Sequence, residues 1–284
     1  MENIPIEKKI LFQWLNAGYI ESGILYPTRK GVPQGGIISP TIANMTLDKL
    51  EDTIRKSVPY RSRVNFVRYA DDFIVTAKSK EILVKHVVPV VKQFLEERGL
   101  ELSENKTKIT FVRDGFTFLG QTFQKHGKTL HITPAKEGVL ALIRNIGDIF
   151  HKLVSAPIEA LIKELNQILR GWANYHRHIV ASKVFSYVDN YIYKMLWNLL
   201  HKRHPKKPAK CLYRKYWLTY DNRRVFGTIV KLDSKVKQYN LVRTSSIGIR
   251  RYRKVKADAN PYMQEYQKYF WIRKHIKEAR FLPA

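Results

Sequence analysis

At 284 residues with 44% hydrophobic content, the chain can bury real cores and is expected to form more than one domain, which excludes a disordered tail. Its formal net charge of +27 points to a polyanionic partner, and no apolar run approaches the roughly 20 residues of a spanning helix, so a membrane class is excluded. Cys211 is the only cysteine, which excludes an internal disulfide and a cysteine-rich zinc site.

In chain order, charges at Glu2, Glu7, Lys8 and Lys9 leave no secretory apolar core, and an intracellular, cytoplasmic location is expected. Lys8 to Gly18 reads as a helix. Gly31 to Pro40 is a Gly-rich turn feeding an amphipathic helix over Thr41 to Glu51, with Ser39 as N-cap and Pro40 at the first helical position. Such a turn lets backbone approach a ligand closely, and the helix start offers free N–H groups to phosphate. A plain capped loop would explain the same residues without any ligand. Val64 to Val75 reads as a short apolar hairpin with Asp71 and Asp72 at its tip. On an ideal strand the two side chains would face opposite ways, so only a turn lets both reach one site. The pair either holds a metal or is a solvated turn.

Glu81 to Arg98 has a helical apolar stripe that Pro89 is expected to disturb, closed by Gly99 as a C-cap. Asp114-Gly115, between Lys108 to Val112 and Phe116 to Phe123, signals a hairpin, and His126-Gly127-Lys128 turns into a strand over Thr129 to Ile132. Pro134 marks the expected boundary. From Lys136 to about Arg203 the apolar stripes (Leu142, Ile146 and Ile149, then Leu161, Leu165 and Leu169) predict a small helical bundle with Trp172 in its core. Beyond Lys206 the periodicity weakens and the charge density climbs, densest over Arg250 to Lys256. Residues 151–284 carry 29 Lys+Arg against 8 Asp+Glu, a net of +21, whereas residues 1–150 have a net of +6. The second half is where a polyanion should be gripped.

Gly31-Val32-Pro33-Gln34-Gly35-Gly36-Ile37-Ile38-Ser39-Pro40, followed by Arg68-Tyr69-Ala70-Asp71-Asp72-Phe73, resembles the reverse transcriptases of group II introns. Gly99 to Ile109 and Phe116 to Gly120 are similar to the next two motifs of that family, in the same order. Leu169-Arg170-Gly171-Trp172-Ala173-Asn174-Tyr175-His176 and His201 to Lys207 resemble its maturase, or thumb, domain.

The resemblance implies an α+β fold: a partial reverse-transcriptase palm (antiparallel sheet with helices) over 1–133, an all-α maturase domain over 134–220, and a basic C-terminal extension over 221–284 that orders on contact with nucleic acid. It implies RNA-directed DNA polymerase chemistry with dNTPs, in which Asp71 and Asp72 hold Mg²⁺ in a two-metal site. Tyr69 would support the primer, and Pro33, Gln34, Gly35 and Gly36 would line the nucleotide and template pocket. Lys106 would neutralise leaving pyrophosphate. RNA contacts are expected at Arg203, His204, Lys206, Arg250, Arg251, Arg253 and Lys254, with intron RNA as the partner, target DNA as a further one, and no membrane. In this family the fingers and the strand with the first metal-binding aspartate precede the Gly-rich motif. The chain is therefore expected to be a truncated or split member, completed by a separate N-terminal fragment or acting as a non-catalytic RNA-binding maturase.

Overall fold

The computed structural model describes residues 7–27, 38–232, 235–250, 255–256 and 259–275. The chain divides into two compact units, residues 1–110 and 111–284.

In the first unit, helix α1 (Lys8–Asn16) leads into a two-stranded ribbon of β1 (Tyr19–Glu21) and β2 (Ile24–Tyr26). The helix expected over Thr41 to Glu51 is two helices, α2 (Ser39–Thr46) and α3 (Leu50–Ser57). The break falls where Lys49 adopts a left-handed φ of 65°. That kink turns Leu47, Leu50 and Ile54 into one core with Val87, Val91, Phe94 and Leu95 of the following helical segment. Burying this cluster outweighs the cost of one residue in an unfavourable backbone region. Pro89 disturbs that segment in a definite way. The helix runs as α4 (Lys80–Ile82), a π-helical turn (Leu83–Val87) and α5 (Val88–Glu96). A proline ring clashes with the carbonyl four residues back, and the wider turn just before Pro89 accommodates it. The segment ends as expected at Gly99, φ 67°, with the Leu100 amide donating to the Leu95 carbonyl at 2.9 Å.

Strands β3 (Asn65–Tyr69) and β4 (Asp72–Thr76) form the expected hairpin. Phe66, Phe73 and Val75 share one face and pack on the α3/α5 core, with the two phenyl rings stacked at 5.7 Å. The palm expected over 1–133 as one antiparallel sheet is present, among the described residues, as three separate sheets, these two ribbons and a three-stranded sheet that belongs to the second unit.

The second unit opens with a three-stranded antiparallel sheet, β5 (Phe116–Phe118), β6 (Gln121–His126) and β7 (Thr129–Pro134). The hairpin turn lies at Leu119-Gly120, not at Asp114-Gly115. Leu119 and Gly120 both have positive φ, which a tight two-residue turn requires, and Lys108 to Val112 is not a strand. Helices α6 (Lys136–Lys152), α7 (Ile158–His176), α8 (Ser182–Arg203) and α9 (Ala209–Tyr216) follow. Their stripes meet in a core that includes Ile146, Leu161, Leu165, Leu169, Val188 and Leu200. The β5–β7 sheet is tied to this bundle. The Val180 amide donates to the Ile132 carbonyl at 2.9 Å, and the Tyr175 hydroxyl donates to the Leu119 carbonyl at 2.6 Å. The boundary expected at Pro134 thus falls inside the unit.

Residues past 216 correct the expectation of an all-α domain with a poorly ordered tail. Strands β8 (Trp217–Tyr220), β9 (Arg223–Leu232) and β10 (Lys235–Asn240) form an antiparallel sheet, with β9 central. Asp221 and Asn222, φ 48° and 57°, make the first turn, as Asp and Asn tolerate left-handed backbone. Phe226 and Leu241 enter the helical core. Asn166 of α7 fastens the exit of the sheet, its amide donating to the Asn240 carbonyl and its oxygen accepting from the Val242 amide, each at 2.8 Å. Asp189 of α8 accepts from the backbone and hydroxyl groups of Thr244 and Ser245. Helix α10 (Gln267–Lys274) closes the described chain.

Candidate functional site

The β3–β4 hairpin carries the carboxylate pair. Tyr69 and Asp72 are directly opposed across the two strands, and Ala70 and Asp71 form the two-residue turn between them. Tyr69, Asp71 and Asp72 are all exposed. Asp71 therefore leaves the chain from the turn and Asp72 from the first position of the return strand, which is the arrangement that frees two adjacent carboxylates from strict strand alternation. Ala70 has φ 54°, an uncommon conformation for a residue with a Cβ. It is held there by Arg68, whose Nη1 donates to the Ala70 carbonyl and to Asn44 Oδ1, both at 2.9 Å. Asn44 lies on α2, the helix entered from the Gly-rich segment, so Arg68 links the carboxylate turn to that helix.

Arg68 and Asn44 were not anticipated. The usable signal is register: Arg68 is the one cation on the face otherwise occupied by Phe66, Phe73 and Val75. Lys106 is exposed in a turn closed by the Thr107 amide and hydroxyl on the Ser103 carbonyl, at 2.9 and 2.8 Å. No ion pair joins it to Asp71 or Asp72 among the described residues. Pro33, Gln34, Gly35 and Gly36 lie outside the described residues.

Two exposed carboxylates on a turn are hard oxygen ligands of the kind that suits Mg²⁺. A two-metal clamp needs a further carboxylate from a separated segment. Among the described residues no group of three or more His, Cys, Asp or Glu side chains converges. The residues present fit part of such a site and do not complete it.

The expected RNA contacts separate on inspection. Arg203 spends its guanidinium inside the fold: Nε donates to the Val154 carbonyl at 2.7 Å, and Nη2 donates to those of Leu153 and Ala156 at 2.9 and 2.8 Å. His204 Nε2 shares a 2.8 Å hydrogen bond with the Tyr216 hydroxyl. Desolvation holds its imidazole below the ordinary value, and Lys215, Lys207 and Arg203 act in the same direction, so this ring is a poor cation for phosphate. Lys206 and Arg250 are exposed, and Arg251, Arg253 and Lys254 lie outside the described residues. Trp172 is partly buried against two cores and 4.6 Å from the His176 ring, as expected of a core residue. Among the described residues no helix is long and apolar enough to cross a membrane.

Residues 1–123 match the family described as reverse transcriptase (RNA-dependent DNA polymerase), and residues 139–217 match the maturase-specific domain of group II introns. Protein YkfC of Escherichia coli is 29% identical over 140 residues, covering 39% of this chain and 37% of its own length. The group II intron-encoded protein LtrA of Lactococcus lactis is 26% identical over 171 residues, covering 39% and 28%. A 91 kDa protein in the cob intron of Schizosaccharomyces pombe is 28% identical over 208 residues, covering 54% and 25%. The matched parts thus span less than two fifths of each relative's length. A reverse-transcriptase segment followed in one polypeptide by a maturase-specific segment places this chain in the family of group II intron-encoded reverse transcriptases and maturases.

Proposed function

We propose that this chain binds intron RNA through its second unit and assists the splicing of that RNA, and that its carboxylate hairpin is the metal-holding turn of an RNA-directed DNA polymerase site. The observation that carries the RNA reading is the coincidence of the maturase-specific match with the helical bundle, in the half of the chain where residues 151–284 have a net charge of +21. Neutralising phosphates with Lys and Arg releases condensed counterions, and this term dominates affinity for nucleic acid.

The polymerase reading rests on the Asp71-Asp72 turn and on the Arg68 clamp that holds Ala70 in an uncommon conformation beside it. Strain of this kind persists where the surroundings enforce it, and it concentrates at functional turns. Mg²⁺ at the pair would align a primer hydroxyl with the phosphate of a dNTP and neutralise the charge that develops. Tyr69, opposite Asp72, offers an exposed ring to a primer end. Because the pair does not complete a two-metal clamp, polymerisation requires a further carboxylate, for which a separate N-terminal fragment is one source. Splicing assistance requires none.

The test is primer extension on an RNA template beside RNA binding. Asp71→Asn should abolish any extension and leave RNA affinity within about twofold, because it removes one exposed anion far in sequence from the basic half. Neutralising Arg250, Arg251, Arg253 and Lys254 together should weaken RNA binding and flatten its salt dependence. Equal loss of RNA affinity in both variants would sink the division of labour.

A further inference from the structure

A cleft in the second unit belongs to neither the carboxylate turn nor the basic segment after Gly248. It encloses about 430 Å³ between α8, α9 and the β8–β9 hairpin, within the roughly 300–1,000 Å³ range of small-ligand pockets. Its floor is apolar, with Ile192, Leu196, Phe226 and Leu241 all buried. Its walls include two tyrosines that remain open to solvent, Tyr193 (46% exposed) and Tyr213 (38%). Arg224 and Arg243 stand at its rim, both exposed.

The rings are ordered. Tyr213, Trp217, Trp197 and His201 form a near-parallel stack, with successive centroids 5.1, 4.9 and 5.5 Å apart and interplanar angles of 16°, 21° and 27°. Tyr193 meets both tryptophans edge-on. Tyr213 is the open end of this stack, so its ring is presented by three others behind it. At the rim Arg224 is fixed by a hydrogen bond, and Arg243 stays largely exposed. Arg224 Nη1 donates to the Trp217 carbonyl at 2.8 Å, and Arg243 is 3.9 Å from Asp189 Oδ2, a carboxylate already committed to the Thr244-Ser245 turn.

A preorganised aromatic wall with cations at its mouth is the chemistry that binds unpaired bases: every base has a π-face, and the phosphate beside it takes the guanidinium. An empty apolar cavity would be closed and lined by aliphatic groups, unlike this one. We propose that this cleft takes one unpaired nucleotide of the RNA, its base stacked on Tyr213 beside Tyr193 and its phosphate on Arg224 and Arg243. The assignment rests on the RNA-binding reading above and names the subsite within it.

The experiment uses the full chain and two probes of equal length, an unstructured single-stranded RNA and a blunt RNA duplex, read by fluorescence anisotropy at one salt concentration. Tyr213→Leu and Tyr193→Leu together should weaken single-strand binding about tenfold, the scale of one base–aromatic stack, with duplex binding unchanged. Arg224→Gln with Arg243→Gln, which leave the rings in place, should lower the salt slope for the single strand by about one per residue. If the tyrosine pair fails to give the wild-type circular dichroism spectrum, the arginine pair carries the test. The proposal is overturned if folded tyrosine variants bind both probes as wild type does, or lose both equally. In each of these cases RNA binding persists and the broader reading stands. Wild-type protein that binds neither probe would overturn both.

Discussion

Arg203→Met separates a structural cation from a nucleic-acid contact. Arg203 ends α8, and the carbonyls that it satisfies, those of Leu153, Val154 and Ala156, lie in the turn after α6. These carbonyls follow the C-terminus of α6, where a cation also meets the negative end of the helix dipole. A hydrogen bond to a charged group is worth about 1.5–3 kcal/mol, but the site is only partly buried and water can replace some of the loss. Methionine keeps most of the stem packing, so about 3 kcal/mol of stability should be lost in total, well short of three full bonds. At roughly 2–4 °C per kcal/mol for a unit of this size, the melting temperature should fall by about 6–12 °C. Arg203→Lys should recover only part of this, because a point charge cannot serve three carbonyls in a fork. Thermal denaturation followed by circular dichroism, with RNA anisotropy on the same samples, makes the measurement. An unchanged melting temperature with a tenfold loss of RNA affinity would refute the structural role and restore Arg203 as an RNA contact.

His176 gives a pH dependence. It is buried on α7, its Nδ1 has no hydrogen-bond partner among the described residues, and burial, with a smaller contribution from His178, pushes its imidazole down from 6.5 to about 4. The unfolded chain therefore binds the proton more tightly. The stability from keeping this ring neutral is complete above about pH 6.5 and is lost as the pH falls toward 4, by at most about 3 kcal/mol. Melting temperatures across that interval should fall for the wild type and flatten for His176→Gln; identical slopes would exclude His176 as the source. Gly227→Ala tests the β9–β10 pairing, because a Cβ there would lie 2.6 Å from the Tyr239 carbonyl oxygen and 2.7 Å from Asn240 Oδ1. A backbone oxygen held in a ladder cannot retreat cheaply, and about 2 kcal/mol should be lost in urea denaturation. A shift below about 0.5 kcal/mol would mean that the sheet yields there.

What was legible in the sequence is what repeats with a period. The stripes of α6 to α8 and the β3–β4 hairpin announce themselves because each apolar position recurs at the spacing of its element, and Gly99 closes α5 by its freedom at positive φ. What escaped is decided by single residues or by distant partners. The break at Lys49 is one backbone angle, bought by packing that only the folded unit supplies. Leu119-Gly120 turns the chain inside an apolar run that reads as one strand, and Asp221-Asn222 turns it where a weakly periodic basic extension was expected. Arg203 looks like any basic residue in a basic run, because its three carbonyls lie about fifty positions upstream. For the candidate site, Asp71, Asp72 and Tyr69 could be named from their motif, whereas Arg68 is marked only by its register among apolar residues and its partner Asn44, on another element, has no local signature.

The order found beyond residue 216 changes how RNA binding should be reasoned about. A tail that folds on contact spends part of its interaction energy on its own ordering. Here β9 delivers Phe226 to the helical core, Asn166 pins the end of β10, and Asp189 holds the Thr244-Ser245 turn. Arg224 and Arg243 are consequently held on a built surface before any RNA arrives. The charge follows the same division. Residues 1–110 carry 17 Lys+Arg against 13 Asp+Glu, and residues 111–284 carry 34 against 11. The unit with the carboxylate turn is nearly balanced, as a site that must gather its own cations can be. The unit with the aromatic cleft holds nearly all the excess charge, on a frame whose conformational cost is met during folding and not during binding.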